Sequence, residues 1–268
     1  HSPYRYVPQK YLERYKGLAF PVRGNVQAEA PRYHTPESCT MTSGDLEQAT
    51  REYFAAVTGL DEQFGRLMQA VKRLGLEEDT LIVLTADHGD MMGSHGLMAK
   101  HVWYEESIGI PLVIGGAGMP AGRCGQVLGS ADLAPTLLEL LGLPVPGTME
   151  GVSAASAVLQ GSSGEGSFTY LYACPGGPGL LGPLKEAGID PKSVGWRGVR
   201  DKRYTYVVDA GYTPGAPLRR LLYDLAADPL QKSPLELASA AGHPAARLAE
   251  ERLRGWLQKE GDPFLQRL

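Results

Sequence analysis

Several things are scarce in this sequence, and each scarcity removes a class of explanation. No apolar run approaches the ~20 residues that a membrane-spanning helix needs. The three cysteines, Cys39, Cys124 and Cys174, are odd in number and far apart, with no C-x-x-C pair to suggest a zinc knuckle or a disulfide framework. Charge of one sign is lacking too: 26 basic against 30 acidic residues leave a net charge of −4, which is no electrostatic footprint for nucleic acid or an anionic membrane. There is no internal repeat, no recognisable leader peptide and no initiating methionine, since the chain starts at His1.

What remains, 268 residues with ordinary apolar content, is enough for one large α/β domain or a domain with a smaller appendage. Residues 1–42, rich in Pro, Tyr and Arg, read as extended loop with one short helix near Pro8 to Tyr15. From Asp45, Leu46, Ala49, Tyr53, Ala56, Leu60, Phe64, Leu67, Val71 and Leu74 recur at intervals of three and four and Gly75 closes the run, which predicts a long amphipathic helix. Leu81 to Leu84 has the length and composition of a buried parallel strand. Ile110 to Gly116 reads as another strand, and Ser130 to Pro144 as a helix begun by Ser130 or Asp132 and ended by Gly142. A Gly-, Ser- and Pro-rich stretch, 147–195, is expected to be irregular with one short strand, SFTYLYA. Beyond it, WRGVRDKRYTYVVD and PLRRLLYDL alternate as antiparallel strands. A last helix, Ala245 to Lys259, is expected to turn Leu248, Leu253, Trp256 and Leu257 inward. Trp196, Tyr204, Tyr206 and Tyr223, at strand spacing, are assigned to packing.

The chemistry concentrates in TADHGDMMGSHGLMAKHVWYEES, residues 85–107, directly after the Leu81 strand. Polar groups at the carboxyl tip of a strand are where α/β folds place their ligands. Asp87 and His88 leave the strand together, with Gly89 permitting a sharp turn, and a carboxylate beside an imidazole suits a divalent cation. Oxygen favours Ca²⁺ or Mg²⁺, and added nitrogen tilts towards Zn²⁺ or Mn²⁺. Lys100 and His101 offer cationic donors to a tetrahedral anion such as sulfate or phosphate. A D-H-G turn alone is as often structural as metal-binding. Asp90 and His95 are read as loop hydrogen-bonding groups, Glu105 and Glu106 as bonding the next segment, and His34 and His243 as exposed loop histidines.

The order of these elements, a helix with D-x-x-x-G, a strand, D-H-G, G-x-H-G, a lysine, Y-E-x-S and an I-P-L strand, closely resembles the carboxyl-side half of the sulfatase family in the alkaline-phosphatase superfamily. HSPY with KYLERY resembles that family's H-x-P-Y motif, and LYDLAADP its terminal signature, so the resemblance covers essentially the whole chain. It implies an α/β fold: part of a three-layer α/β/α domain over residues 1–190, and a small antiparallel α+β subdomain over 191–268. It further implies Asp87 and His88 as metal ligands, Lys100 as a catalytic and sulfate-binding residue, and His1 as a catalytic, substrate-contacting histidine. His101 as a substrate ligand is an extension from position. The implied cofactors are a divalent metal, Ca²⁺ first, and a formylglycine nucleophile made from a C/S-x-P-x-R motif.

That motif is absent, and so is any Asp-Asp pair to supply the remaining metal ligands. The expectation is therefore a sulfuric ester hydrolase of which this chain carries only part of the active site, inactive alone. The nucleophile and central strands would lie upstream, and without them the long helix and the Leu81 strand would expose apolar faces and an open edge. A second copy of the chain would be another way to cover them. The expected substrate is a small-molecule or carbohydrate sulfate ester. The alternatives are a phosphatase or phosphonate monoester hydrolase of the same superfamily, or an inactive remnant that binds an anion or a partner. Export and cytoplasmic residence are both compatible with the sequence.

Overall fold

The structure is a computed structural model that describes residues 4–27, 43–176, 178–213 and 215–268. It divides into two compact units, residues 1–119 and 120–268. In the first unit, α1 (Gln9–Leu12) and a 3₁₀ turn, Glu13–Tyr15, come after the opening residues. The long helix α2 (Ser43–Arg73) is next, and Gly75, in the left-handed region at φ 67°, ends it as the sequence predicts. Lys10 pairs with Glu62, and the Tyr15 hydroxyl bonds Thr58, so α1 and its turn lie along α2. Phe20 stacks on Phe54 at 5.1 Å, and Ala55 is fully buried. Much of the helix's apolar periodicity nevertheless meets solvent, with Leu60 69%, Leu67 56% and Leu74 67% exposed.

The strand β1 (Leu81–Thr85) forms where expected, but not as expected. It pairs antiparallel with β2 (Leu112–Gly116), in the register Leu81 to Gly116 through Thr85 to Leu112. It is not fully buried either: Leu84 is 44% exposed, and Val113 of its partner β2 is 58% exposed. The connection between the two strands explains the direction. It is an irregular loop plus a single helical turn, α3 (Glu105–Ile108), rather than the long crossover helix that usually joins parallel strands.

The second unit opens with α4 (Ser130–Leu140), begun at Gly129 as N-cap, where Asp132 accepts from the Gly129 amide at 2.9 Å. Next come α5 (Ala155–Gln160), β3 (Phe168–Ala173) and α6 (Pro178–Glu186). The glycine-rich stretch read as irregular thus holds two short helices besides its strand. The strands β4 (Trp196–Asp201), β5 (Tyr204–Asp209), β6 (Arg219–Asp224) and β7 (Leu235–Leu237) complete the set. They form an antiparallel sheet of order β3-β4-β5-β6-β7. The boundary drawn at residue 190 falls between β3 and β4, which pair along their full length.

Helix α7 (Pro244–Lys259) covers this sheet. Leu253 and Leu257 are completely buried and pack with Val199, Tyr206, Val208, Leu222 and Phe264. Leu248, read as inward, is 47% exposed, and Trp256 is half-buried against Tyr170, with rings 4.6 Å apart. Trp196, Tyr206 and Tyr223 are buried, as aromatics at strand spacing should be. Two polar groups deep in the unit are fully engaged. Arg197 bonds Asp262 at 2.9 Å and also the carbonyls of Ala173, Trp196 and Lys192. Glu250 accepts from Tyr206, Arg220 and Arg254. Among the described residues no helix is long and apolar enough to cross a membrane.

Candidate functional site

Four of the candidate site residues, Asp87, His88, Lys100 and His101, stand on one loop, and its construction explains how. Leaving β1, the chain turns at Gly89, whose amide donates to the Ser107 carbonyl at 2.9 Å. The contact is so close that a Cβ on Gly89 would lie 2.0 Å from the Glu106 carbonyl oxygen, so only glycine fits. Asp90 then clasps the loop. Its Oδ1 accepts from the amides of Met92 and Ala99, both at 3.1 Å, and its Oδ2 accepts from the Tyr4 hydroxyl at 2.9 Å. Burial and the adjoining Asp90 carboxylate hold the Tyr4 phenol well above its ordinary range, so it remains a donor. The Met91 amide meets the Ala99 carbonyl at 2.8 Å and closes the neck.

The neck joins the two arms of the loop, with Asp87 and His88 preceding it in the chain and Lys100 and His101 following it. Residues 91–97 between them are entirely buried. The loop is strained: Met92, His95, Ala99 and His101 all have positive φ (43°, 55°, 63° and 80°). Each such non-glycine residue costs of the order of 1–3 kcal/mol and persists only where the surroundings over-determine it.

Asp87 is exposed and His88 partly so. The His88 Nδ1 lies 2.7 Å from the Gly89 carbonyl oxygen. A carbonyl can only accept, so Nδ1 carries the proton, and in the neutral ring Nε2 bears the lone pair. That Nε2 lies 3.4 Å from Asp87 Oδ2. With the ring in that neutral form both atoms are acceptors, an arrangement that a cation between them would suit, and a carbonyl that fixes the imidazole tautomer is the usual support of a metal-bound histidine. The pair therefore fits a divalent ion as two of its ligands. No group of three or more His, Cys, Asp or Glu suited to a metal occurs among the described residues. Lys100 is half-buried and His101 exposed. His1, His34 and Cys39 lie outside the described residues.

The loop-bonding roles read for Asp90 and His95 hold, whereas Glu106, read as bonding the next segment, instead accepts from Asn25 Nδ2 of the preceding segment at 2.6 Å. His243 caps α7, its Nδ1 accepting from the Ala245 amide at 3.2 Å. The sequence reading missed two residues of the preceding segment. Arg23 donates to the carbonyls of Met91 and Met92. Asn25 is buried against the loop tip. A lone Arg and Asn in loop sequence carry no periodicity or motif that would have marked them.

The model of the family described as Sulfatase matches residues 1–143. The ulvan-active sulfatase of Formosa agariphila is 28% identical over the whole of this chain, which spans 48% of that relative. A crystal structure of a candidate sulfatase from Bacteroides fragilis superposes with a TM-score of 0.78 at 28% identity, covering 99% of this chain and 53% of its own. The phosphonate monoester hydrolase of Agrobacterium radiobacter superposes at 0.61 with 31% identity, covering 85% of this chain and 43% of its own. The chain thus spans about half the length of these proteins, and its fold is the α/β fold of the alkaline-phosphatase superfamily.

Proposed function

This chain belongs to the sulfatase family, and from that premise we propose that the whole protein is a sulfuric ester hydrolase to which residues 1–268 contribute one side of the active site. The observation that carries the reading is the Asp90 clasp. By bonding the Met92 and Ala99 amides it draws together the two arms of the loop, one following Asp87 and His88 and the other running on to Lys100, which supports a shared role for the three.

Asp87 and His88 would hold a divalent cation, with Ca²⁺ the first candidate because the family site is rich in hard oxygen ligands, and Mg²⁺, Mn²⁺ or Zn²⁺ as the alternatives. When bound, such an ion supplies Lewis acidity that draws charge from the sulfate oxygens. The chain's own residues do the rest of the work on this side. Lys100, next to the Ala99 amide that bonds Asp90, neutralises a sulfate oxygen and the charge that builds on the leaving oxygen. His101 lies on the same side of the neck and donates to the anion. His1 contacts the substrate and delivers the leaving-group proton. The nucleophile, a formylglycine in this family, is supplied from outside these residues, since no C/S-x-P-x-R motif occurs in them.

The substrate is a small-molecule or carbohydrate sulfate ester, a reading supported by the relative whose name makes it active on ulvan. A second reading, hydrolysis of a phosphate or phosphonate monoester, is favoured by the 31% identity to a phosphonate monoester hydrolase, because a cation and a lysine serve either tetrahedral anion. Rates of the full-length protein on 4-nitrophenyl sulfate, 4-nitrophenyl phosphate and phenyl 4-nitrophenyl phosphonate separate them. Preference for the sulfate supports the first reading, preference for a phosphorus ester the second, and no turnover of any under metal-replete conditions overturns both.

A further inference from the structure

We infer that Asn25 is the positioning residue of this half-site, an element that no motif of the loop contains. The inference rests on the functional reading above and adds to it the device that holds the loop in place.

Asn25 is 3% exposed, and its carbonyl and both polar atoms of its side chain are engaged. Its carbonyl accepts from the His95 amide at 2.7 Å. Its side-chain Oδ1 accepts from the Ser94 hydroxyl at 3.2 Å. Its Nδ2 donates to Glu106 Oε1 at 2.6 Å and lies 3.2 Å from His95 Nε2. The His95 ring in turn stacks on Tyr104 at 3.7 Å, nearly parallel. A short β-bridge between Val26 and Ser94 continues the contact. One amide therefore ties the loop tip, residues 94–95, to the α3 turn at Glu106.

The α3 turn is the piece against which Gly89, the neighbour of His88, is set. The Gly89 amide bonds Ser107, and Gly89 packs on the Glu106 carbonyl. A circuit results: α3 holds the Asp87–His88 end, Asn25 holds α3 to the tip, and the Asp90 clasp holds the tip's far arm at Ala99, next to Lys100. The four strained residues of the loop need such an outside constraint, because relaxation of any of them would reorient the residues beyond it. Ser94 and His95 are completely or almost completely buried, so neither contacts substrate, and their effect on chemistry passes through the position of Asp87, His88 and Lys100. An asparagine is required rather than an aspartate, because a carboxylate would face the Glu106 carboxylate and donate nothing.

The test uses the full-length protein with Asn25→Asp and Asn25→Leu, and Tyr206→Phe as a stability-matched control remote from the loop in sequence and bonded only within the second unit. Supporting variants hold the loop less firmly: amides of Met91 to Ala99 exchange faster, calcium affinity weakens and kcat falls, the last two by about 10–100-fold, the usual loss when a partner behind the ligands is removed. Tyr206→Phe, at equal loss of Tm, keeps kcat within twofold. Faster exchange with unchanged calcium affinity and kcat overturns the inference, as does unchanged exchange, or a control that loses as much activity. If Asn25→Leu does not fold, Ser94→Ala, which deletes one bond of the circuit, must show the same pattern on a smaller scale. Should the wild type hydrolyse no ester, the functional reading fails by itself, and exchange together with calcium affinity still decides the role of Asn25.

Discussion

The two units solve opposite problems. Residues 120–268 bury a conventional core: five antiparallel strands covered by α7, with Leu253, Leu257, Tyr206 and Phe264 wholly out of water. Residues 1–119 leave apolar side chains of α2, β1 and β2 in solvent, and their best-buried segment is a loop, residues 91–97, held mainly by hydrogen bonds from Asp90, Arg23 and Asn25. Packing is forgiving of small displacements, whereas directional bonds are not. The unit to which the proposed chemistry is assigned is thus the one built from directional bonds around a strained backbone, and the unit that carries hydrophobic stability contains none of the residues assigned to the site. Changes in the first should alter rate more than stability, and changes in the second the reverse.

The sharpest contrast comes from Lys100→Ala. In the full-length protein turnover should fall by roughly 10²–10³-fold, the loss typical of a group that stabilises charge in the transition state, while Tm stays within about a degree. Steady-state kinetics beside thermal unfolding checks both halves, and activity within a few-fold of wild type would remove Lys100 from the site. Leu257→Ala in the second unit is the mirror image: a loss of about 2–5 kcal/mol in urea unfolding, with kcat per folded molecule unchanged.

A smaller effect is expected from Asp209, which is 4% exposed and whose carboxyl burial pushes up to about 6, against the Gly211 amide and Arg219 that favour its ionised form. Because the folded value lies above the unfolded one of 3.8, the folded state binds the extra proton. Stability should therefore decline as pH rises from about 4 to 6 and level off above. Asp209→Asn, which keeps an acceptor for Gly211, should be more stable than wild type at pH 7 by about 1–3 kcal/mol and lose that advantage near pH 4. Urea midpoints across this range would show it, and a variant equal to wild type at every pH would deny the burial cost. Least of all should come from Glu62→Gln, which removes a solvent-exposed pairing with Lys10 and should leave the unfolding midpoint unchanged.

Legibility in the sequence divides along the same line. The helices α2 and α7 and the hairpin of β4 and β5 were legible because each repeats its apolar positions with the period of its own geometry. The direction of β1 was not, since four consecutive apolar residues fit a parallel or an antiparallel neighbour equally well, and only the chain between β1 and β2 decides. Leu248 was read inward because three-and-four spacing marks a stripe without marking its edge. Of the site, the family motifs gave Asp87, His88 and Lys100, whereas the bonds that hold them do not show in sequence. Asp90 looks like any loop aspartate, and Asn25 lies 70 residues from the histidine it holds.

The central claim is that the strained loop is a cation and anion site. The measurement that asks this most directly is calorimetric titration of calcium into chelator-stripped full-length protein, wild type beside Asp87→Ala. One tightly bound equivalent in the wild type, weakened by two orders of magnitude or more in the variant while Tm without metal is unchanged, is the result predicted. Equal binding by the two proteins, or none by either with calcium, magnesium, manganese or zinc, would contradict the assignment of Asp87 and His88 as metal ligands.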